Sequence, residues 1–206
     1  MPDLTSVQTF LKEYDGEPLT FMEVCGTHTA AISENGIPDM LSPRIRLISG
    51  PGCPVCVTVA DYVDRLVELS KEEGTTVVTF GDMIRVPGSR GSLNDAKASG
   101  GQVLMVYSPL EMLKLAKENP AMTFVFAAVG FETTTPLYAV LLDEAIKAGL
   151  TNVKLLTALK TMPEVIGKVC AGKSDISGFI APGHVSVITG SELFRPLAEK
   201  YSIPFV

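Results

Sequence analysis

Apolar runs rich in Val, Ile and Phe recur along the chain, and segments of helical periodicity separate them. This alternation marks a parallel sheet covered by helices. Strands are predicted over residues 20–24, 45–49, 76–80, 103–107, 123–129, 153–156 and 177–181. Helices are clearest over 57–73, 110–118, 136–148 and 163–170, with apolar residues three or four apart, as at Val59, Val63, Leu66 and Val67. Gly74 and Gly149 stand where helix C-caps belong, and Pro109, Pro136 and Pro163 stand where helices begin. The fold class is therefore α/β, with mainly parallel sheets.

Residues 83–101 form the longest non-periodic piece, rich in glycine, and read as a long functional or mobile loop following a strand carboxyl end. Ligands of open α/β sheets bind at such ends. A boundary is expected near Asn119 and Pro120, dividing the chain into domains 1–119 and 120–206. The apolar run 203–206 reads as the start of another strand, so the second domain is expected to be incomplete and the chain a fragment of a longer protein.

The 206 residues are 46% apolar, enough for a sizeable core, and the net charge of −6 comes with no block of Lys or Arg. Nucleic acid and anionic membrane are therefore poor partners. No apolar stretch approaches the roughly 20 residues of a membrane span. The first twenty residues lack the basic and then apolar regions of a signal peptide, and the protein reads as cytoplasmic. In that compartment four cysteines are thiols, metal ligands or a redox pair rather than structural disulfides.

Four motifs concentrate the chemistry. FMEVCGTHT puts Cys25 directly after a strand, with Gly26 expected to ease the turn and His28 three residues on as shared ligand or proton partner. SGPGCPVCVT places Cys53 and Cys56 in a C-x-x-C between a strand and a long helix, where helix-terminal N–H groups favour anions such as a thiolate. Two such thiols ligate a soft metal or exchange electrons as a dithiol–disulfide pair. VGFETTTP sets Glu132, Thr133 and Thr134 at another strand end, with Thr134 or Thr135 able to cap the next helix. IAPGHVS repeats the strand–turn–polar arrangement with His184.

Together Cys25, His28, Cys53 and Cys56 also have the ligand count of a Cys3His zinc module, and the C-x-x-C alone allows a thiol–disulfide oxidoreductase. Cys170 sits among Val165, Ile166 and Val169 and reads as core. No phosphate loop, dinucleotide fingerprint or nucleophile elbow is present in the sequence.

The set FMEVCGTHT, SGPGCPVC, GFETTTP and APGHVS, in this order, resembles the HypD family of NiFe-hydrogenase maturation factors over essentially the whole chain. The resemblance implies two Rossmann-like α/β domains. It also implies a metallocofactor assembly scaffold rather than a turnover enzyme: an iron receives two cyanides and one carbon monoxide with a HypC-type chaperone, and a HypE-type partner supplies cyanide. By the same resemblance the iron-binding thiol is Cys25 with His28 essential beside it. Cys53 and Cys56 form the redox or iron-assisting pair, and Glu132, Thr133, Thr134 and His184 line the cleft or partner surface. Family members also carry a four-iron four-sulfur cluster in a carboxyl-terminal portion. Only Cys170 follows Cys56 here, so that cluster is not expected on this chain.

Overall fold

The computed structural model of the chain describes residues 3–172 and 175–206. In chain order the elements are α1 (Leu4–Glu13), β1 (Leu19–Glu23), α2 (Gly26–Glu34), β2 (Ile45–Ser49), α3 (Ala60–Lys71), β3 (Thr75–Thr79), α4 (Leu93–Ala98), β4 (Val103–Met105), α5 (Glu111–Glu118) and β5 (Thr123–Gly130). Then follow α6 (Thr135–Lys147), β6 (Val153–Leu159), α7 (Met162–Ala171), β7 (Gly178–Ile180), α8 (Gly183–Thr189) and α9 (Arg195–Tyr201). All seven predicted strands are present, and among the described residues these strands pair in parallel throughout.

The chain forms two compact units, one made of Met1–Cys53 with Thr161–Val206 and the other of Pro54–Lys160. This corrects the expected division at residue 119. β5 lies beyond that point yet pairs with β3 from Thr75↔Thr123 to Val78↔Phe126, so one sheet spans the supposed boundary.

The contiguous unit holds the sheet β4-β3-β5-β6. Side chains alternate across its strands and build a core on each face. On one face Val77, Ala127 and Val129 meet Tyr62, Val63, Leu66 and Val67 of α3. On the other, Val78, Phe124, Phe126 and Ala128 meet Met112 and Ala116 of α5 and Tyr138, Leu141 and Ala145 of α6. Two tyrosine hydroxyls fasten the layers: Tyr62 donates to the Leu156 carbonyl (2.7 Å) and Tyr138 to the Val129 carbonyl (2.8 Å). Gly149 (φ 66°) takes the left-handed conformation just after the C-cap of α6, whereas α3 ends at Glu72 in extended backbone and Gly74 (φ 73°) turns the chain into β3.

Residues 83–101 are more ordered than the sequence suggested. They begin with a 3-10 turn at Met83–Arg85, tighten where the Gly88 N–H meets the Gly91 carbonyl (2.9 Å), and then form α4. The Ser92 hydroxyl accepts the Asp95 N–H while the Asp95 carboxylate accepts the Ser92 N–H, a reciprocal capping box. Asp64 of α3 accepts from the Ser89 hydroxyl and the Arg90 N–H, tying the segment to the helix beneath it.

The discontinuous unit holds the sheet β2-β1-β7 with β1 central. Residues 204–206 extend it beyond β7: the Phe179 N–H donates to the Pro204 carbonyl (2.9 Å) and the Val206 N–H to the Phe179 carbonyl (3.0 Å). Phe205 stacks on Phe179 at 4.8 Å. Cys170 of α7 is buried, as its neighbours implied, and burial pushes its thiol pKa up, the opposite of a reactive cysteine.

Candidate functional site

In the β2-β1-β7 sheet the chain leaves β1 for β2 on one side and later returns to β7 on the other. The carboxyl ends of β1 and β7 therefore flank a topological switch point, where the outgoing connections diverge and leave a crevice. Cys25 follows β1 and His184 follows β7. Their side chains converge: Cys25 Sγ lies 4.0 Å from His184 Nδ1. The register that brings them together runs from Phe21↔Gly178 to Glu23↔Ile180 and continues in the Val24 N–H to Ile180 carbonyl bond (3.3 Å).

Cys25 occupies the N-cap position of α2, with extended backbone, but its side chain caps nothing. The thiol is therefore not consumed by the helix and is half-buried beside an exposed imidazole. His28 lies in the first turn of α2, and its Nδ1 is buried with no hydrogen-bond partner among the described residues. Gly26 starts the helix in open space, with nothing within 4 Å of an added Cβ. It does not carry the turn expected of it.

The glycine that matters is Gly52. A Cβ there would stand 2.4 Å from the Cys25 nitrogen, 2.5 Å from the Val24 carbonyl carbon and 2.6 Å from Cys25 Cα. The segment leaving β2 thus crosses directly on the backbone at Cys25, which brings the half-buried Cys53 to the same sheet edge. The Gly50 N–H donates to the Glu23 carbonyl (2.7 Å) and fixes that crossing.

Sequence reasoning missed Glu23, which is only 2% exposed at the end of β1. Its carboxylate accepts the Cys25 N–H (3.0 Å) and the Thr29 hydroxyl. The available signal was an acid closing an otherwise apolar strand just before Cys-Gly.

In the contiguous unit, Cys56 is exposed in the turn at residues 54–57, held by the Thr58 hydroxyl donating to the Pro54 carbonyl (2.9 Å). α3 has its N-cap at Val59, so the C-x-x-C precedes the helix rather than forming its first turn. Both cysteines thus lie ahead of the N-cap and outside the first turn, where the helix dipole acts most strongly.

Glu132, Thr133 and Thr134 follow β5 at the switch point of this unit, where β3 and β5 adjoin. Glu132 is half-buried and Thr133 exposed. Thr134 takes the N-cap position of α6 without a side-chain cap bond, and the Thr135 hydroxyl donates back to the Phe131 carbonyl (3.0 Å).

Among the described residues no three His, Cys, Asp or Glu side chains are grouped to hold a metal ion, and the Cys3His arrangement is not assembled. No helix among them is long and apolar enough to cross a membrane. What the geometry offers is a thiol–imidazole pair at a strand switch point, with a second cysteine delivered to the same edge by a glycine crossing.

Comparison with known proteins follows the same motifs. The family model HypD, described as "Hydrogenase formation hypA family", matches residues 4–206. The hydrogenase maturation factor HypD of Azotobacter vinelandii is 44% identical over 192 residues, covering 90% of this chain and 51% of that protein. The corresponding factors of Rhodobacter capsulatus and Escherichia coli K12 are 42% and 41% identical, each aligned over 92% of this chain and 51% of its own length. The chain thus spans about half the length of these relatives. With a family model covering residues 4–206, the chain belongs to the HypD hydrogenase formation family.

Proposed function

We propose that this chain acts in hydrogenase maturation by holding an iron ion at Cys25 while cyanide and carbon monoxide are placed on it, as the scaffold of an Fe(CN)2CO unit. The observation that carries this reading is the convergence of Cys25 Sγ and His184 Nδ1 at 4.0 Å across a strand switch point. A first-row divalent ion with bonds of about 2.3 Å to sulfur and about 2.0 Å to nitrogen reaches both atoms at that separation. Low-spin iron bearing cyanide and carbonyl suits a soft thiolate donor.

Each remaining residue has a role in this reading. His28, one helical turn beyond Cys25 with its buried Nδ1 unengaged among the described residues, is the proton partner of the thiol site. Cys53 and Cys56 are the dithiol that assists as ligand or redox pair. Glu132, Thr133, Thr134 and the exposed face of His184 meet partner proteins, a HypC-type chaperone and a HypE-type cyanide donor. The position of the C-x-x-C ahead of α3 disfavours a stand-alone oxidoreductase, which relies on a helix N-terminus to activate its attacking thiol.

The test is infrared spectroscopy with iron analysis on the chain co-purified anaerobically with the two partner types. Cys25→Ala is expected to lose both bound iron and the cyanide and carbonyl bands, with unchanged circular dichroism. Bands of normal intensity in that variant would overturn the proposal.

A further inference from the structure

We propose that Glu23 is the positioning residue of the Cys25 thiol, an inference that deepens the iron-holding reading and rests on it. Its carboxylate is buried, with no ion-pair partner among the described residues. Removing an ionised carboxyl from water costs several kcal/mol unless hydrogen bonds replace hydration. The two bonds it makes both go to the turn that presents Cys25. Oε2 accepts the Cys25 N–H at 3.0 Å, and Oε1 accepts the hydroxyl of Thr29, one helical turn further on. The Thr29 N–H in turn donates to the Cys25 carbonyl at 3.1 Å.

Cys25 is therefore gripped through its own amide and, by way of Thr29, through its carbonyl. At an ordinary N-cap the side chain accepts a helix N–H and so fixes the turn itself. Here the N-cap side chain makes no such bond, and a side chain two residues upstream fixes the residue instead. The consequence is a backbone at Cys25 held from both sides, with the sulfur left off the helix cap and facing His184. Supporting groups of this kind typically govern metal affinity by 10–100-fold without touching the metal.

The two variants that separate this role from packing are Glu23→Leu, which fills the volume but accepts no hydrogen bond, and Glu23→Gln. Glutamine keeps an oxygen for the Cys25 N–H, and its amide donates to Thr29, whose hydroxyl then turns to the Cys25 carbonyl, 3.4 Å away. Two readouts are used on the anaerobic full chain. One is the charge-transfer absorption of Co(II) bound to thiolate, titrated with the metal alone. The other is the alkylation rate of Cys25 in metal-free protein, resolved by peptide mass.

Glu23→Leu is expected to weaken Co(II) binding at Cys25 by roughly tenfold or more and to change the Cys25 alkylation rate, while Glu23→Gln restores both to near wild type. Equal Co(II) binding and alkylation in wild type and Glu23→Leu would overturn the proposal, and so would a Glu23→Gln variant as impaired as Glu23→Leu. Should Glu23→Leu not fold, Glu23→Asp carries the test: it keeps the charge but is one methylene too short to reach the Cys25 N–H, and behaviour like wild type would overturn the proposal. Absence of any thiolate–cobalt absorption in the wild-type chain would instead count against the iron-holding reading, leaving the alkylation rates to decide the role of Glu23.

Discussion

Two glycines near Cys25 look alike in sequence and differ entirely in what they permit. Gly52 has three backbone atoms within 2.6 Å of where its Cβ would stand, and none belongs to a flexible side chain that could swing away. Gly52→Ala must therefore push the 50–53 segment off β1, an overpacking that costs about 2 kcal/mol or more and displaces Cys53 from its seat. Gly26→Ala meets nothing within 4 Å and is expected to stay within about 0.5 kcal/mol of wild type. Urea midpoints of the two variants provide the comparison; equal midpoints would refute the crossing argument. Cys25, His28, Cys53 and His184 were legible as residues following apolar runs. Gly52 and Glu23 were not: the glycine's close approach depends on the backbone at Cys25, distant in sequence, and the carboxylate's reach depends on the turn into α2, a helix with no apolar face to reveal it.

At the scale of elements, the strands could be read from their apolar runs to within a few residues, whereas short helices could not. The sequence of α2, GTHTAAISE, has no buried residue and therefore no apolar face to betray it. α1 likewise buries nothing, with Leu4 and Phe10 exposed. α4 did carry a signal, the S-x-x-D of Ser92 and Asp95, obscured by flanking glycines. Ser92→Ala is expected to cost about 1 kcal/mol and to lower hydrogen-exchange protection across residues 92–101. The box also predicts a pH dependence. Hydrogen bonds from the Ser92 N–H and hydroxyl hold the Asp95 carboxyl below its ordinary pKa of 3.8. Its stabilising contribution is thus complete above that pH and is lost as pH falls through the lowered folded value. The exchange difference between wild type and Ser92→Ala is expected to be full near neutrality and to shrink in acid; a difference that grows in acid would contradict the assigned bonding.

At the scale of the molecule, what the sequence withheld is which strands share a sheet. Local periodicity reports burial, not partners, and the discontinuous unit is closed by bonds between residues far apart along the chain: the Thr20 N–H to the Ser177 hydroxyl (3.0 Å) and the Ser177 N–H to the Thr20 carbonyl (2.7 Å). Such closure carries a large loop entropy cost, and its reward arrives only when β7 docks on β1. The contiguous unit faces no such demand. Its four strands follow one another in sequence, both faces of its sheet are covered by its own helices, and its cores draw only on residues 54–160. Residues 54–160 expressed alone are therefore expected to fold, with dispersed amide resonances and a single cooperative urea transition. Residues 1–53 alone lack β7 and His184 and leave one edge of β1 unpaired, so they are expected to remain unfolded. A non-cooperative, poorly dispersed 54–160 fragment would show that its stability is borrowed from the rest of the chain. A folded 1–53 fragment would show that Cys25 can be presented without the strand that delivers His184, and the thiol–imidazole pair would lose its architectural basis.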